Sequence, residues 1–369
     1  MDARAYLADC LGKVLEMKGQ DLFIKVGSVP RTRVGSKVVP LPYPAVTNEV
    51  TETIVREILN ETQKTALEKN KSVDFAFSVI GPTQRFRANV FVQQGTYSFV
   101  IRTLWKKIPS IEELHIPAVI KKVALERQGI ILIAGVVASG KTTTINAMIE
   151  MMNQNVNRHV ITIEDPIEYL HQDNMCIINQ REVGQDANDF NSALKYVVRQ
   201  SPDVVVIGEM RDAETFNFAV SSAEVGRLVI STVHSKSAVQ IFDRVLGFYQ
   251  PEQRDAVLAH LYPNITCFMV QKLIIAKDGK SLVPAFEIMV GNYTMRELAR
   301  EKKFERMHQA IRNGAPEGMI TMDQSIFNLW KDGLITTETA LESVDRPQEL
   351  ENQMKGIRID GASSKILGA

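Results

Sequence analysis

The sequence has few cysteines and tryptophans, no excess of either charge and no long apolar run. Among 369 residues there are three cysteines and two tryptophans. Cys10, Cys176 and Cys267 form no Cys-x-x-Cys pair, which argues against a zinc ribbon and against a disulfide framework. Isolated cysteines of this kind are typical of a reducing cytosol, where a free cysteine behaves mostly as a small apolar residue.

Charge argues against a nucleic-acid-binding protein, and hydropathy argues against a membrane-spanning or secreted one. Lysine plus arginine and aspartate plus glutamate number 43 each, so the formal net charge is zero. A nucleic-acid-binding protein usually carries a basic face, so the zero net charge argues weakly against that class, although it leaves room for a local basic patch. No window approaches the ~18 consecutive apolar residues of a membrane-spanning helix, and the first residues, with Asp2, do not read as a secretory signal. We expect an ordinary globular protein of the cytoplasm, long enough for about two domains.

The pattern of elements changes near residue 119. The part before it predicts a small α+β domain. Helical spacing is found over 6–18, 48–59 and 61–69, and strand-like runs are found at 21–26, 32–34, 74–79, 85–92 and 96–104. After residue 119, apolar strands at 129–134, 159–163, 203–207 and 227–233 alternate with helices, which is typical of a mostly parallel sheet covered by helices. We predict an α+β domain over 1–105, a linker over 106–118, an α/β core over 119–285, a helical subdomain over 286–345 and a flexible tail over 346–369.

A phosphate-binding motif follows the first apolar strand of the core. Residues 135–142 read Gly-Val-Val-Ala-Ser-Gly-Lys-Thr, a full match to the P-loop pattern. Such a loop aims backbone N–H groups and a helix N-terminus at phosphate, while Lys141 reaches the β and γ phosphates and the Thr142 hydroxyl ligates magnesium. The predicted ATP-binding residues are Gly135, Ala138, Ser139, Gly140, Lys141, Thr142 and Thr143.

Acidic residues stand where two further apolar strands end. Glu164 ends one strand, with Glu168 shortly after it, and Glu209 follows another, where a Walker B acid belongs. Ligands of parallel sheets bind at the carboxyl ends of strands, and nucleotide hydrolysis needs magnesium and an oriented water. Taken singly, each acid could equally be a helix cap or half of a surface ion pair. His234 also ends a strand and could orient a γ-phosphate, although a lone histidine is more often structural.

The P-loop belongs to a series of motifs that resembles a known family. In chain order the others are Asp21-Leu-Phe, Arg85-Phe-Arg87, Glu164-Asp-Pro-Ile-Glu168, Asn179-Gln-Arg-Glu-Val183, Ser201-Pro-Asp203, Ile207-Gly-Glu-Met-Arg-Asp212, Thr232-Val-His234 and Met322-Asp-Gln-Ser325. This series resembles the secretion ATPase superfamily of type II secretion and type IV pili over nearly the whole chain. It is most similar to the pilus-retraction ATPases, the PilT/PilU family, and the stretch from Glu182 to Asp186 leans towards PilU. Pilus-assembly ATPases typically carry an extra amino-terminal domain and a four-cysteine zinc motif, and this sequence shows neither.

The resemblance implies a role for each acid and for the histidine. Glu168 would be the general base that orients the attacking water. Glu209 would hold magnesium together with Thr142, and Glu164 would support it. His234 would be the second histidine of the family's His box.

Two arginines receive a role only from the resemblance. Arg87 and Arg102 match amino-domain arginines that approach the triphosphate, where guanidinium groups stabilise the charge of the phosphoryl transition state. From the residues alone, arginines that alternate along strands would more readily be interpreted as a solvated sheet face.

The chain departs from the family pattern at two places. The family usually has Gly-Pro-Thr-Gly-Ser-Gly-Lys-Ser at the P-loop, whereas here residues 136–138 are Val-Val-Ala and Thr142 replaces serine. Threonine keeps the hydroxyl, but Ala138 removes backbone freedom where glycine is the family norm. Arg227 stands where the first histidine of the His box is usual, and arginine does not titrate near neutral pH.

The resemblance also implies the architecture and the biology. It implies a PAS-like amino-terminal domain, a RecA-like P-loop ATPase core with a helical carboxyl-terminal extension, and a homo-hexamer in which the amino domain of one subunit packs on the ATPase domain of the next. The expected protein hydrolyses ATP with Mg²⁺ to drive pilus retraction and twitching motility, as the motor or as an accessory to a paralogous retraction ATPase. It would act in the cytoplasm, peripherally on the inner membrane, through a platform protein. The alternatives are a pilus-assembly or type II secretion ATPase and, from another class, a RecA-like nucleic-acid translocase.

Overall fold

The computed structural model describes residues 2–81, 84–104 and 107–356. The chain forms two compact units. The first comprises Met1–Ile108 and His159–Pro202, and the second comprises Pro109–Arg158 and Asp203–Ala369. Both contain helices and strands, and the predicted α/β fold class is confirmed. None of the helices in the described ranges is long and apolar enough to cross a membrane.

The regular elements have the following bounds. The helices are α1 Ala3–Glu16, α2 Asn48–Ile58, α3 Glu61–Asn70, α4 Val119–Ala124, α5 Lys141–Asn155, α6 Phe190–Val197, α7 Ala213–Glu224, α8 Gln240–Leu246, α9 Arg254–Leu261, α10 Tyr293–Arg300, α11 Phe304–Asn313, α12 Met322–Lys331, α13 Thr337–Ser343 and α14 Pro347–Met354. The strands are β1 Asp21–Lys25, β2 Arg31–Val34, β3 Lys37–Pro40, β4 Ser72–Phe77, β5 Phe86–Gln93, β6 Thr96–Thr103, β7 Gly129–Ala134, β8 His159–Glu164, β9 Ile177–Glu182, β10 Val204–Ile207, β11 Leu228–Val233, β12 Ile265–Ile275 and β13 Leu282–Val290.

The first unit contains an antiparallel sheet with the strand order β3-β2-β1-β6-β5-β4. Its core face is set by strand alternation, since Phe86, Ala88 and Val90 of β5 are all buried and belong to one apolar cluster with α1 and α2. Side chains of the other parity point away from that core. Arg87 is one of them, and it lies directly opposite Arg102 of β6. The sheet therefore places the two predicted arginines side by side on one face.

A parallel strand pair also belongs to the first unit. β8 pairs with β9 in a register that aligns Glu164 with Glu182, the last residue of each strand. β8 is apolar and buried after its first residue, whereas β9 is largely polar. The loop that joins them carries Glu168, so residues at the end of β9 lie beside the start of that loop.

The second unit arranges its strands in the order β13-β12-β7-β11-β10. β7 and β11 are buried along their whole length, as expected of parallel strands covered on both faces. Ala134 at the end of β7 is aligned with Val233 at the end of β11, and Ile207 of β10 is aligned with Ser231. The P-loop, Glu209 and His234 therefore emerge from the same edge of the sheet.

The carboxyl-terminal part differs from two predictions. The predicted boundary at 285 falls inside β13, which pairs antiparallel with β12. The start of the predicted flexible tail is a helix, α14, whose Leu350 is buried in an apolar cluster with β12, β13 and α12. The tail prediction is therefore wrong for 347–354, because an apolar side chain at helical spacing finds a packed partner there. Its end, 357–369, lies outside the described residues.

Candidate active site

The P-loop has a backbone shape that glycine is needed to form. Gly135 and Gly140 have φ of +148° and +85°. A Cβ at Gly135 would lie 2.4 Å from the backbone oxygen of Gln271, and one at Gly140 would lie 2.9 Å from its Nε2. Gln271 is itself buried and accepts a hydrogen bond from Thr144 Oγ1 at 2.8 Å. β12 thus supports the loop through a residue that sequence reasoning missed, because β12 was not predicted as a strand.

Ala138 adopts the left-handed conformation, with φ of +62°. This is the position where the family usually has glycine. A left-handed residue with a Cβ costs roughly 1–2 kcal/mol. The prediction that alanine removes backbone freedom needed here agrees with this φ.

The loop offers several groups suited to phosphate. Gly140 is the N-cap of α5, and no side chain caps the helix, so backbone N–H groups and the positive end of the helix dipole face the loop. Lys141 Nζ donates to the carbonyl oxygens of Gly135 and Val136, at 2.9 and 3.0 Å. Burial lowers the pKa of the Lys141 ammonium, and the Glu209 carboxylate opposes that shift. Ser139 Oγ is buried without a hydrogen-bond partner among the described residues. An orphaned hydroxyl beside an uncapped helix N-terminus fits an anion such as phosphate.

Glu209 lies at the centre of a small charged group in the second unit. Its Oε1 is 3.1 Å from His234 Nε2, and its Oε2 is 2.8 Å from both Nε and Nη2 of Arg211. His234 Nδ1 is in turn 3.2 Å from the carbonyl oxygen of Gly135. These contacts bring three sequence-predicted parts together: the P-loop, the Walker B acid and the histidine.

The donor set is compatible with magnesium. In the described ranges, no group of three or more His, Cys, Asp or Glu side chains could hold a metal ion. Magnesium in nucleotide sites usually has one or two protein oxygens, with water and phosphate completing its shell. The predicted pair, the Thr142 hydroxyl and the Glu209 carboxylate, would supply protein oxygens of this kind.

Glu164 is buried in the first unit and fully engaged there. Its Oε1 accepts hydrogen bonds from Thr162 Oγ1 at 2.6 Å and Gln180 Nε2 at 3.1 Å. Burial raises the pKa of this carboxyl, and the two hydrogen bonds oppose the shift.

Glu168 lies next to the arginines of the antiparallel sheet. Its Oε1 is 3.8 Å from Arg87 Nη1, and 27% of its side chain is exposed. Burial raises the pKa of Glu168, while the charges of Arg87 and then Arg102 lower it. Arg102 Nε also donates to the buried Asp21 at 2.9 Å. The first unit thus brings a partly exposed carboxylate and two guanidinium groups together.

Arg227 lies far from the histidine of the same strand. It precedes β11, and its N–H donates to the Ser222 carbonyl oxygen, whereas His234 follows the strand. Seven residues of extended chain span about 23 Å. Arg227 therefore does not join the group around Glu209 within this chain.

A P-loop between a buried parallel strand and an uncapped helix, with an acid at a neighbouring strand end, defines the class of P-loop nucleoside-triphosphatase folds. The type II/IV secretion system protein family matches residues 53–325. The chain belongs to this family.

Individual relatives confirm the predicted PilT/PilU resemblance. The type IV pilus ATPase PilU of Pseudomonas aeruginosa is 35% identical over 93% of this chain and 89% of its own length. The type IV pilus retraction ATPase PilT of the same organism is 37% identical over 89% of this chain and 95% of its own length. The crystal structure of the pilus retraction motor PilT with bound ADP matches with a TM-score of 0.86 and 34% identity, over 94% of this chain and 98% of that one.

Proposed function

We propose that this protein hydrolyses ATP with Mg²⁺ and drives the retraction of type IV pili. The observation that carries the proposal is the P-loop itself: an uncapped α5, Lys141 and the orphaned Ser139 hydroxyl converge on one small volume. The likeness to PilT, whose crystal structure holds ADP, extends over 94% of the chain. We take the cytoplasmic face of the inner membrane as the place of action and a ring of six as the assembly, with a membrane platform protein as partner.

The second unit holds the phosphates in this proposal. The loop amides and Lys141 bind the β and γ phosphates. Thr142 and Glu209 hold magnesium, which neutralises charge on the phosphates when bound. His234, hydrogen-bonded to the P-loop and facing Glu209, reports whether that site is filled.

The first unit supplies the base and the arginines. Glu168 orients the attacking water and accepts its proton, and Arg87 and Arg102 stabilise the charge that develops on the transferred phosphoryl group. Glu164, held by Thr162 and Gln180, takes the supporting role for Glu209 that the family resemblance implies.

Two variants test the activity. Lys141→Ala should abolish nucleotide binding, since it removes the charge that meets the phosphates. Glu168→Ala should keep ATP binding within about threefold and lower turnover by about 10²–10⁴, the usual contribution of a general base. Magnesium-dependent phosphate release and the affinity for a fluorescent ATP analogue are the measurements. Turnover of Glu168→Ala close to that of the unchanged protein would remove the base assignment.

The accessory role is a second candidate, favoured by the left-handed Ala138 and by Arg227 in place of a histidine. A cell in which every paralogous retraction ATPase has been deleted separates the two roles. Pilus retraction that persists with this protein alone identifies a motor, and retraction that returns only with a paralogue identifies an accessory subunit. DNA-stimulated hydrolysis that falls steeply with salt would instead indicate a nucleic-acid translocase.

A further inference from the structure

Glu182, the last residue of β9, is almost completely buried. Only 2% of it is exposed, and its Oε2 accepts two hydrogen bonds. One comes from Arg85 Nη2 at 2.9 Å and the other from the backbone N–H of Ile167 at 3.2 Å. Arg85 Nη2 also donates to the carbonyl oxygen of Ile167 at 3.3 Å. Both polar backbone groups of the residue before Glu168 are therefore held by one buried ion pair.

Gln180 holds the other side of the same loop. It stands two residues before Glu182, so the two side chains leave the same face of β9. Its Nε2 donates to the carbonyl oxygen of Tyr169 at 2.8 Å, and its Oε1 accepts the N–H of His171 at 2.9 Å. The same Nε2 lies 3.1 Å from Glu164 Oε1. The residue after Glu168 is thus held through its carbonyl oxygen.

We propose that Gln180 and Glu182, with Arg85, are positioning residues that fix the loop carrying Glu168. The inference rests on the proposed role of Glu168 as the base. A loop residue with a partly exposed side chain would otherwise sample many positions, and a displacement of about 1 Å at a reacting group can cost about 10² in rate. Burial of an ion pair is costly unless its geometry is good, and this pair directs its hydrogen bonds to the backbone of one loop residue.

The decisive variant is Glu182→Gln, which keeps the size of the side chain. The amide oxygen of glutamine can still accept both hydrogen bonds that Oε2 accepts, but it carries no charge, so the ion pair with Arg85 is lost and the loop is held more weakly. We expect kcat for ATP to fall by about ten- to a hundredfold, with KM and the affinity for an ATP analogue within twofold, because the phosphates are bound by the P-loop. The matched control is Glu61→Gln in α3, whose exposed carboxylate pairs with Lys64 at 2.8 Å, and it should change neither constant.

A comparison in the Glu168→Gln background separates positioning from general damage. If Glu182 acts through Glu168, then Glu182→Gln should lower the single-turnover rate of Glu168→Gln by less than twofold. The inference would be overturned if Glu182→Gln lowered the rate equally with and without Glu168→Gln, or if Glu182→Gln alone left kcat unchanged. In either case an inactive Glu168→Gln would still support Glu168 as the base. Full turnover of Glu168→Gln itself would instead remove the base assignment, and this inference with it.

If Glu182→Gln does not fold, a second variant, Arg85→Lys, can be used to test the same ion pair. Arg85→Lys keeps a positive charge beside Glu182 but lacks the planar guanidinium whose Nη2 donates to both Glu182 and Ile167. The thermal unfolding midpoint identifies a folding defect in either variant. For Arg85→Lys we then measure kcat and KM in the unchanged background and the single-turnover rate in the Glu168→Gln background. Its control is Arg56→Lys, at an exposed position of α2.

Discussion

Ala138 has a strained backbone conformation within the P-loop, the proposed phosphate-binding loop. Its φ of +62° is a conformation that alanine adopts only at a cost. The neighbouring glycines adopt positive φ without a Cβ penalty. The loop therefore keeps the shape of a phosphate-binding turn although one residue in it opposes that shape.

Ala138→Gly should relieve this strain. The gain of roughly 1–2 kcal/mol from the left-handed residue is partly offset by the greater freedom of glycine in the unfolded chain, so we expect about 0.5–1 kcal/mol of added stability. Chemical denaturation measures it. Ala147→Gly in the interior of α5 is the control and should lose about 1 kcal/mol. A loss of similar size in both variants would contradict the strain at Ala138.

The pH dependence of turnover should report the arginines around Glu168. The base must be ionised, so turnover falls as the pH drops through its pKa. Burial raises that pKa, and Arg87 lowers it. Removing the guanidinium in Arg87→Gln should therefore move the acid limb of kcat to higher pH. Profiles normalised to their own maxima are compared with those of Arg56→Gln, which should match the unchanged protein. An acid limb that stays in place or moves to lower pH in Arg87→Gln would show that Arg87 does not set the charge of Glu168.

At the scale of the element, β12 is the support of the P-loop. Its Gln271 lies against Gly135 and Gly140 and hydrogen-bonds Thr144 in the first turn of α5. Strand, loop and helix thus form one packed piece, in which the shape of the loop depends on a neighbouring strand as well as on its own glycines.

Gly135→Ala tests this support. A Cβ there would approach backbone and side-chain atoms at 2.4 and 2.6 Å, so we expect a loss of at least about 2 kcal/mol and of ATP affinity. Gly279→Ala is the matched control for Gly135→Ala. Gly279 also has a positive φ, but a Cβ there would meet nothing within 4 Å. It should cost only about 1 kcal/mol, from the left-handed backbone. Equal costs in the two variants, with ATP binding intact, would mean that β12 does not constrain the loop.

For the whole molecule, the carboxyl-terminal helices add a separate apolar cluster to the second unit. Leu350 of α14 reaches that cluster, which also contains Ile274, Val283 and Ile326. Residues that read as a polar tail thus contribute to stability.

Leu350→Ala should lower the free energy of unfolding by about 2–3 kcal/mol, as expected of a buried leucine. Gln348→Ala on the exposed side of the same helix should be nearly neutral. Denaturant midpoints of the two variants give the comparison. If both were neutral, α14 would not be packed in solution, and residues 347–354 would be flexible as predicted.

Much of the fold was predictable because its signals are local. β7 has the bounds predicted from its apolar run, and β8, β10 and β11 differ from their predicted bounds by one residue at most. β9 was not predicted as a strand because most of its residues are polar, and Gln180 and Glu182 meet their partners elsewhere in the chain. β12 and β13 form a long hairpin. β12 was missed because no element was predicted over its residues, and β13 was missed because the chain from 285 was predicted to be helix-rich.

The sequence by itself determined the phosphate loop, the acids at strand ends and the family, because a motif and an apolar period depend on near neighbours in the chain. Only the tertiary structure showed that Ala138 is left-handed, that Gln271 supports the loop and that Arg85 meets Glu182, 97 residues away. It also decided the electrostatics of Glu168, because burial and the approach of Arg87 depend on which strands pack together. Long-range pairing and burial leave no local pattern, and they shape the surroundings in which each motif works.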